Sequence, residues 1–280
     1  MSEVASLNNF FDAIEVTYCT FEGETIQLKM PFTLTHTAEA TRAPEDCGTA
    51  APTNVISTSC SYNEAYLTPL YTARQCAEYA KLGLMGITVL YSSGDYGVAE
   101  NGSYCLTSNG IYSLDNTIFN PSFVGTCPYI TSVGATQANP NSAVYEPEGA
   151  CGQVIYYGGG FSNYFAMPDY SRYLDRSGTS RGFPDTAANG TNFVVAIDDT
   201  YELICGTSCS SPVSGSILTI GFINLTIYSP SFAGVFNDII MGGNQGCGIA
   251  AYTALPGIDP VTGLGTPNFP KLLASWLLLP

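Results

Sequence analysis

Three groups of residues in this 280-residue chain have types and spacing suited to chemistry. In Gly206-Thr207-Ser208-Cys209-Ser210-Ser211-Pro212 a glycine precedes Ser208, and a proline follows at the start of an apolar stretch, which predicts a helix beginning at Ser208. At such a terminus the backbone N–H groups and the helix dipole favour a developing oxyanion. An ordinary Ser/Thr helix cap would use the same residues. The second group, Ser92-Ser93-Gly94-Asp95-Tyr96-Gly97, follows an apolar run at the end where open α/β sheets place ligands. Its glycines permit close backbone approach, and a turn capped by Asp95 is the plainer reading. The third comprises Phe236-Asn237-Asp238-Ile239-Ile240 and Gly257-Ile258-Asp259-Pro260-Val261-Thr262-Gly263. Two carboxylates and several carbonyls on loops suit a hard cation such as Ca2+, and equally describe solvated turn aspartates.

A serine nucleophile needs a base. His36 is the only histidine and lies in a Thr-rich stretch without catalytic context. That argues against a Ser-His-Asp arrangement without forbidding it. Paired carboxylates are the alternative, because two like charges share a proton and can accept the serine proton in acid.

These groups need elements to hold them. Residues 2–16 carry a loosely amphipathic helical pattern, and 33–53 read as loop. Residues 55–59 read as a strand, 68–82 as a helix stopped by Gly83, and 86–91 as a buried strand, which together make a βαβ unit. From 101 to 164 the Gly, Ser, Tyr and Asn content predicts short strands in surface loops, with apolar bursts at 129–133 and 154–157.

Only 8 Lys+Arg stand against 23 Asp+Glu, a net charge of -15, which argues against nucleic-acid or anionic-membrane partners and suits an acidic medium. Ten cysteines and sequons at Asn101, Asn189 and Asn224 suggest an oxidising, extracellular setting. The cysteines show no zinc-type spacing, and no run reaches the ~20 apolar residues of a membrane span. The first thirty residues lack a signal-peptide pattern, so a secreted form would come from a longer precursor.

Ser92-Ser93-Gly94-Asp95, Phe119-Asn120-Pro121-Ser122-Phe123, Cys127-Pro128-Tyr129-Ile130-Thr131-Ser132-Val133-Gly134-Ala135-Thr136, Gly159-Gly160-Phe161-Ser162, Arg181-Gly182-Phe183-Pro184-Asp185, Gly206-Thr207-Ser208 and the run from Asp259 to Phe269 stand in an order that resembles the sedolisins, serine-carboxyl peptidases, and within them the fungal secreted tripeptidyl-peptidases. The resemblance covers residues 54–280. It implies an α/β fold, subtilisin-like and doubly wound, with a mostly parallel sheet and helices on both faces. It implies one catalytic domain over 1–280, with its amino-terminal part incomplete and its prodomain absent, acting on peptide or protein substrates as a secreted monomer. Ser208 matches the nucleophile and Asp95 the protonated acid of the oxyanion hole. Asp238 and Asp259 match calcium carboxylates, with Ile239 and Gly257 supplying carbonyls. Cys105 and Cys247 lie near half-cystines of some relatives, without an assigned pairing.

The resemblance also locates departures. The family's activating Glu and Asp stand four apart on one helix, and the matching stretch here is Val4-Ala5-Ser6-Leu7-Asn8, with Val4 and Asn8 in their places. Glu3 and Asp12 are nearby acids, but a one-residue shift turns a side chain by ~100°. Segments after Ser162 and after Ser208 are shorter than the family's. An acid-acting peptidase is therefore one expectation and a catalytically inactive homologue the second. A non-catalytic secreted binding glycoprotein, suggested by the Gly/Tyr/Asn-rich middle, is the third.

Overall fold

A computed structural model describes Phe10, Phe11, Ala13, Ile14, Gly48 and residues 50–279, apart from 100–103, 115, 144–145, 153–154, 172–178 and 218–220. The βαβ unit forms as its apolar pattern predicts. Strand β1 (Val55–Thr58) leads to helix α1 (Pro69–Leu84), which returns the chain to β2 (Thr88–Ser92), parallel to β1 with Val55 opposite Thr88. Thr68 caps α1 by accepting the Tyr71 N–H at 3.3 Å, and Pro69 occupies the first turn, where a missing N–H costs nothing. Gly83 does not stop this helix. It lies inside it, where an added Cβ would meet the Phe222 Cβ at 3.0 Å, and the chain turns at Gly86, whose φ is +84°. That glycine serves close packing, and the next one supplies the left-handed turn.

Strand β3 (Thr131–Gln137) pairs parallel to β2, and β5 (Thr186–Asn189) parallel to β3. The short β4 (Gly149–Ala150) adds an antiparallel pair at the carboxyl end of β3. The order β1-β2-β3-β5 is all parallel, and β2 and β3 are buried throughout, as a sheet covered on both faces requires. The side chains of β2 alternate accordingly. Val89 and Tyr91 face Cys76, Tyr79 and Leu82 of α1, whereas Leu90 joins Val133, Ile223 and Ile227 in the second core. Phe10, Phe11, Ala13 and Ile14 are helical, and the Phe11 ring meets Tyr79 edge-on at 4.8 Å, extending the first core.

Helix α2 (Thr207–Ile217) covers the other face. It contains five serines, so it lies close to the sheet: Ser211 Oγ is 2.9 Å from Ser57 Oγ, and a Cβ on Gly215 would be 3.5 Å from Leu90. A shorter helix, α3 (Phe269–Trp276), closes the second core through Leu272. The burst at 154–157 forms no ladder in its described part. Tyr156 makes a single bridge to Tyr96, because Gly158 must run against Ser93, where any Cβ would overlap the Ser93 carbonyl.

Among the described residues two disulfides join distant segments, Cys76 to Cys127 and Cys105 to Cys247. The sequon at Asn224 is not an acceptor in this fold. Asn224 is fully buried, its Nδ2 donates to the Ile130 carbonyl at 2.9 Å, and its Oδ1 accepts from Thr131 Oγ1 at 2.7 Å. Asn189 lies in β5 with its Nδ2 directed to the Thr191 carbonyl, and Asn101 is outside the described residues.

Candidate functional site at the sheet's carboxyl edge

The carboxyl end of β2 and the amino end of α2 meet, bringing together residues 112 apart in sequence. Asp95 Oδ1 accepts the Thr207 N–H at 2.8 Å and the Thr207 Oγ1–H at 2.9 Å. Thr207 Oγ1 in turn accepts the Gly94 N–H at 3.2 Å, so Thr207, itself buried, locks the strand end to the helix start. Sequence reasoning placed Asp95 and Ser208 but missed Thr207. Its position inside the Gly-Thr-Ser turn was the signal available.

With Oδ1 occupied, Asp95 offers Oδ2. A Cβ built on Gly206 would lie 3.3 Å from Asp95 Oδ2, 3.6 Å from the Ser208 nitrogen and 3.8 Å from Ser208 Cβ. These three atoms therefore surround one small space, which Gly206 leaves open. Ser208 is exposed in the first turn of α2, and Asp95 is half-buried beneath it. Pro212, inside the helix, has no N–H to return to the Ser208 carbonyl, and the turn that carries Ser208 is held by Cys209 N–H to the Gly206 carbonyl at 3.0 Å. A carboxyl, a serine and helix N–H groups brought this close are of the types that attack a carbonyl and stabilise the oxyanion that forms.

Among the described residues no carboxylate is hydrogen-bonded to the Ser208 hydroxyl. Glu3, Val4, Asn8 and Asp12, on which the expectation about the activating pair rests, lie outside the described residues.

The two segments of the third predicted group also come together. Asp238, exposed, accepts the Gly257 N–H on Oδ2 at 2.8 Å, which draws the 236–239 segment to the 255–259 loop. Asp259 is 4% exposed. Its Oδ1 accepts from Val261 N at 2.9 Å, Thr262 N at 2.8 Å and Thr262 Oγ1 at 3.3 Å, and Oδ2 from Leu255 N at 2.9 Å. Burial pushes its pKa above the usual carboxylate value, against those four donors. Oδ1 is saturated, while Oδ2 keeps a lone pair. Two carboxylates bracketing one glycine-bearing loop fit a hard cation by donor type. Among the described residues there is no cluster of three or more His, Cys, Asp or Glu that could hold a metal ion, and Asp238 and Asp259 contribute two carboxylates only.

Glu64 is a buried carboxylate that the sequence did not signal. Its Oε1 accepts from Ser162 Oγ at 2.5 Å and its Oε2 from the Asn163 N–H at 2.7 Å, fixing the start of the Gly160–Ala166 strand. Desolvation raises its pKa, and the bonds from Ser162, Thr126, Asn163 and Tyr164 oppose that rise. A raised folded-state pKa means that the group's contribution to stability is complete below its unfolded pKa and is lost as pH rises through the folded one. The slope between the two is at most about 1.4 kcal/mol per pH unit. Urea unfolding of Glu64→Gln from about pH 4 upward is expected to lack this decline; an unchanged slope would clear Glu64 of responsibility.

No protein-family model matches the chain. It is 38% identical to aorsin of Aspergillus oryzae over 98% of this chain and 49% of that protein. It is 36% identical to tripeptidyl-peptidase SED1 of Arthroderma otae over 99% of this chain and 48% of that one, and 35% identical to tripeptidyl-peptidase sed1 of Aspergillus fumigatus over 98% and 48%. The chain thus spans about half the length of the curated relatives it matches. The aorsin match runs over 328 positions against 280 residues, so aorsin carries residues within the matched span that are missing here. The fold is that of Pseudomonas sedolisin, solved with two molecules of pseudo-iodotyrostatin, with a TM-score of 0.68 and 24% identity over 79% of this chain and 64% of that one. The expected α/β architecture, a mostly parallel sheet with helices on both faces, is the one found, and over the span it matches the chain is similar to these fungal peptidases and has the sedolisin fold.

Proposed function

We propose that this chain is a serine-carboxyl peptidase domain, extending over residues 1–280, that cleaves peptides in acid with Ser208 as nucleophile and Asp95 as the acid of the oxyanion hole. The observation that carries the reading is the convergence of Asp95 Oδ2, the Ser208 nitrogen and Ser208 Cβ around the space left by Gly206. Ser208 Oγ attacks the scissile carbonyl, and its proton passes to a carboxylate. Asp95 and the α2 N–H groups hold the oxyanion; collapse of the tetrahedral intermediate passes the serine proton from the carboxylate to the departing amine and leaves an acyl ester on Ser208, which water hydrolyses by the same steps. The carboxylate must come from the amino-terminal segment, where Glu3 and Asp12 are the acids beside the family positions occupied by Val4 and Asn8. Hydrolysis of an Ala-Ala-Phe reporter at about pH 4 by the folded chain tests this, since paired carboxylates accept a proton in that range. Absence of turnover by folded protein overturns it.

Val4 and Asn8 favour a second reading, a catalytically inactive homologue that keeps the cleft and binds peptide without cutting it. Binding of a labelled peptide by folded chain that lacks turnover would support that reading, and turnover would end it.

Asp95 separates two roles by substitution. Asp95→Ala is expected to lower kcat about 10²- to 10³-fold, as loss of one oxyanion donor does. Asp95→Asn keeps an N–H donor towards that space, so it should retain more activity than Asp95→Ala. Equal loss in the two variants would remove Asp95 from the oxyanion hole.

Calcium, if bound, ties the 236–239 segment to the 255–259 loop through Asp238, Asp259 and the carbonyls of Ile239 and Gly257, a structural role remote from bond cleavage. A chelator is expected to lower Tm by several degrees, and added Ca2+ to restore it. An unchanged melting curve removes calcium from the account. Two disulfides and the cysteine content support an oxidising, extracellular setting for the working protein, and among the described residues no helix is long and apolar enough to cross a membrane. Analysis of secreted and cellular fractions of the source cells checks the location.

A further inference from the structure

Two strands, Phe193–Ile197 and Thr200–Ile204, form an antiparallel hairpin that runs directly into the turn carrying Ser208. It is a sheet of its own, and among the described residues neither strand pairs with any other. The Gly206 N–H donates to the Gly190 carbonyl at 2.8 Å and clamps the hairpin's base beside the site. At its tip Asp198 and Asp199 have φ of 45° and 63°, a two-residue left-handed turn that matches the twist of the strands. Directly opposed residues share a face, so the register separates two faces. Phe193, Val195 and Ile204 are half-buried on one of them, which also carries Glu202. The other consists of Val194 opposite Leu203 and Ala196 opposite Tyr201, all exposed, with Val194 at 67%, Leu203 at 64% and Tyr201 at 82%.

A two-stranded hairpin is marginal in water unless something covers a face, so an uncovered apolar one suits a partner. Charge selects the partner. Asp198, Asp199 and Glu202 are exposed at the tip, and no Lys, Arg or His occurs between Arg181 and Lys271. A second copy would bring the same acids to the same face of a chain already at -15. A cationic strand meets no such repulsion. Reach ties that strand to the site: Leu203 is five residues from Ser208, at most about 19 Å along the chain, a span that about six extended residues cover. We propose that this hairpin is a docking wall for the peptide held at Ser208, an extended segment of alternating apolar and basic residues lying along Thr200–Ile204. Its apolar side chains rest on Leu203 and Tyr201, its basic ones fall on the side of Glu202, and its backbone adds hydrogen bonds at the open strand edge. The continuation to Ser208 rests on the peptidase reading; the wall's own affinity for the peptide does not.

Fluorescence anisotropy of a labelled Leu/Lys alternating peptide of about eight residues, long enough to reach both places, with folded Ser208→Ala chain reads binding free of cleavage. Tyr201→Thr with Leu203→Thr, both exposed and compatible with a strand, is expected to weaken binding about tenfold with Tm unchanged. Asp198→Asn with Asp199→Asn preserves the turn and should weaken binding several-fold at low ionic strength, while a Leu/Gln peptide is unaffected. Unchanged affinity in the threonine variant overturns the proposal. So does a sedimenting dimer that the threonine variant dissociates, because a second copy would then cover the face. In the parent, kcat/KM should rise when a reporter is lengthened to the same reach, and the threonine variant should lose that rise. Binding without any turnover would sink the peptidase reading and leave the wall standing; turnover whose gain with length survives in the threonine variant would sink the wall alone.

Discussion

Ser208→Ala is expected to reduce reporter hydrolysis at about pH 4 to the level of buffer, a loss approaching 10⁶-fold in kcat by analogy with removal of the nucleophile from other serine peptidases. The same change should leave the unfolding midpoint nearly unmoved. Ser208 is exposed in the first turn of α2, and the turn is held by Thr207, Gly206 and Cys209, none of which depends on the hydroxyl. A surface substitution of this kind costs within about 0.5 kcal/mol. The pairing of a large kinetic loss with a negligible stability change is the signature of a group that forms a bond to substrate. Turnover that survives in the alanine variant would assign the hydrolysis to another group. Turnover absent from the parent as well would move the chain to the inactive reading, with Val4 and Asn8 as the cause.

How much of this was legible depended on the range of the interactions. The helix of the βαβ unit was readable because its signals are local: Thr68 and Pro69 mark its start, and apolar residues recur at helical spacing at 70, 73, 76, 77 and 80. Of these only Cys76 is buried, and the face turned inward is that of Thr72, Gln75, Cys76, Tyr79 and Leu82. Gly83 misled because a glycine near a helix end serves a cap or close packing equally well, and only the Phe222 contact distinguishes them. The apolar residues at 154–157 suggested a strand, but a strand needs a partner edge, and Gly158 against Ser93 is a tertiary fact. Asp95 and Ser208 could be singled out as chemical groups from neighbouring glycines. Their union through Thr207 spans more than a hundred residues and has no local trace. Arg181 and Asp185 were hidden for a different reason. A spacing of four reads as a helical surface pair, whereas here the chain is a strand followed by Pro184, and both side chains turn inward.

That buried pair carries the largest stability prediction. Arg181 and Asp185 are both fully buried and joined twice, Nη1 to Oδ1 at 2.7 Å and Nη2 to Oδ2 at 2.6 Å. Asp185 also accepts the Ser132 N–H on Oδ2 at 2.7 Å and the Tyr228 hydroxyl on Oδ1 at 2.9 Å. Its backbone joins β3 through Ser132 and the 259–265 loop through Leu264, whose N–H reaches the Asp185 carbonyl at 2.9 Å. Burial alone would lower the Arg181 pKa, but the facing carboxylate overrides it and holds the guanidinium charged. Asp185→Asn therefore leaves an uncompensated cation in the core and should cost about 3 to 5 kcal/mol, read as a fall in the urea midpoint. Adding Arg181→Met to that variant removes the stranded charge and should recover much of the loss, because a buried pair replaced by apolar volume is often close to neutral. Failure of the double variant to recover would mean that the Asp185 carboxylate acts chiefly through Ser132 and Tyr228. Its role would then be to tie β3 to Tyr228, and the ion pair would only make that carboxylate tolerable in the core.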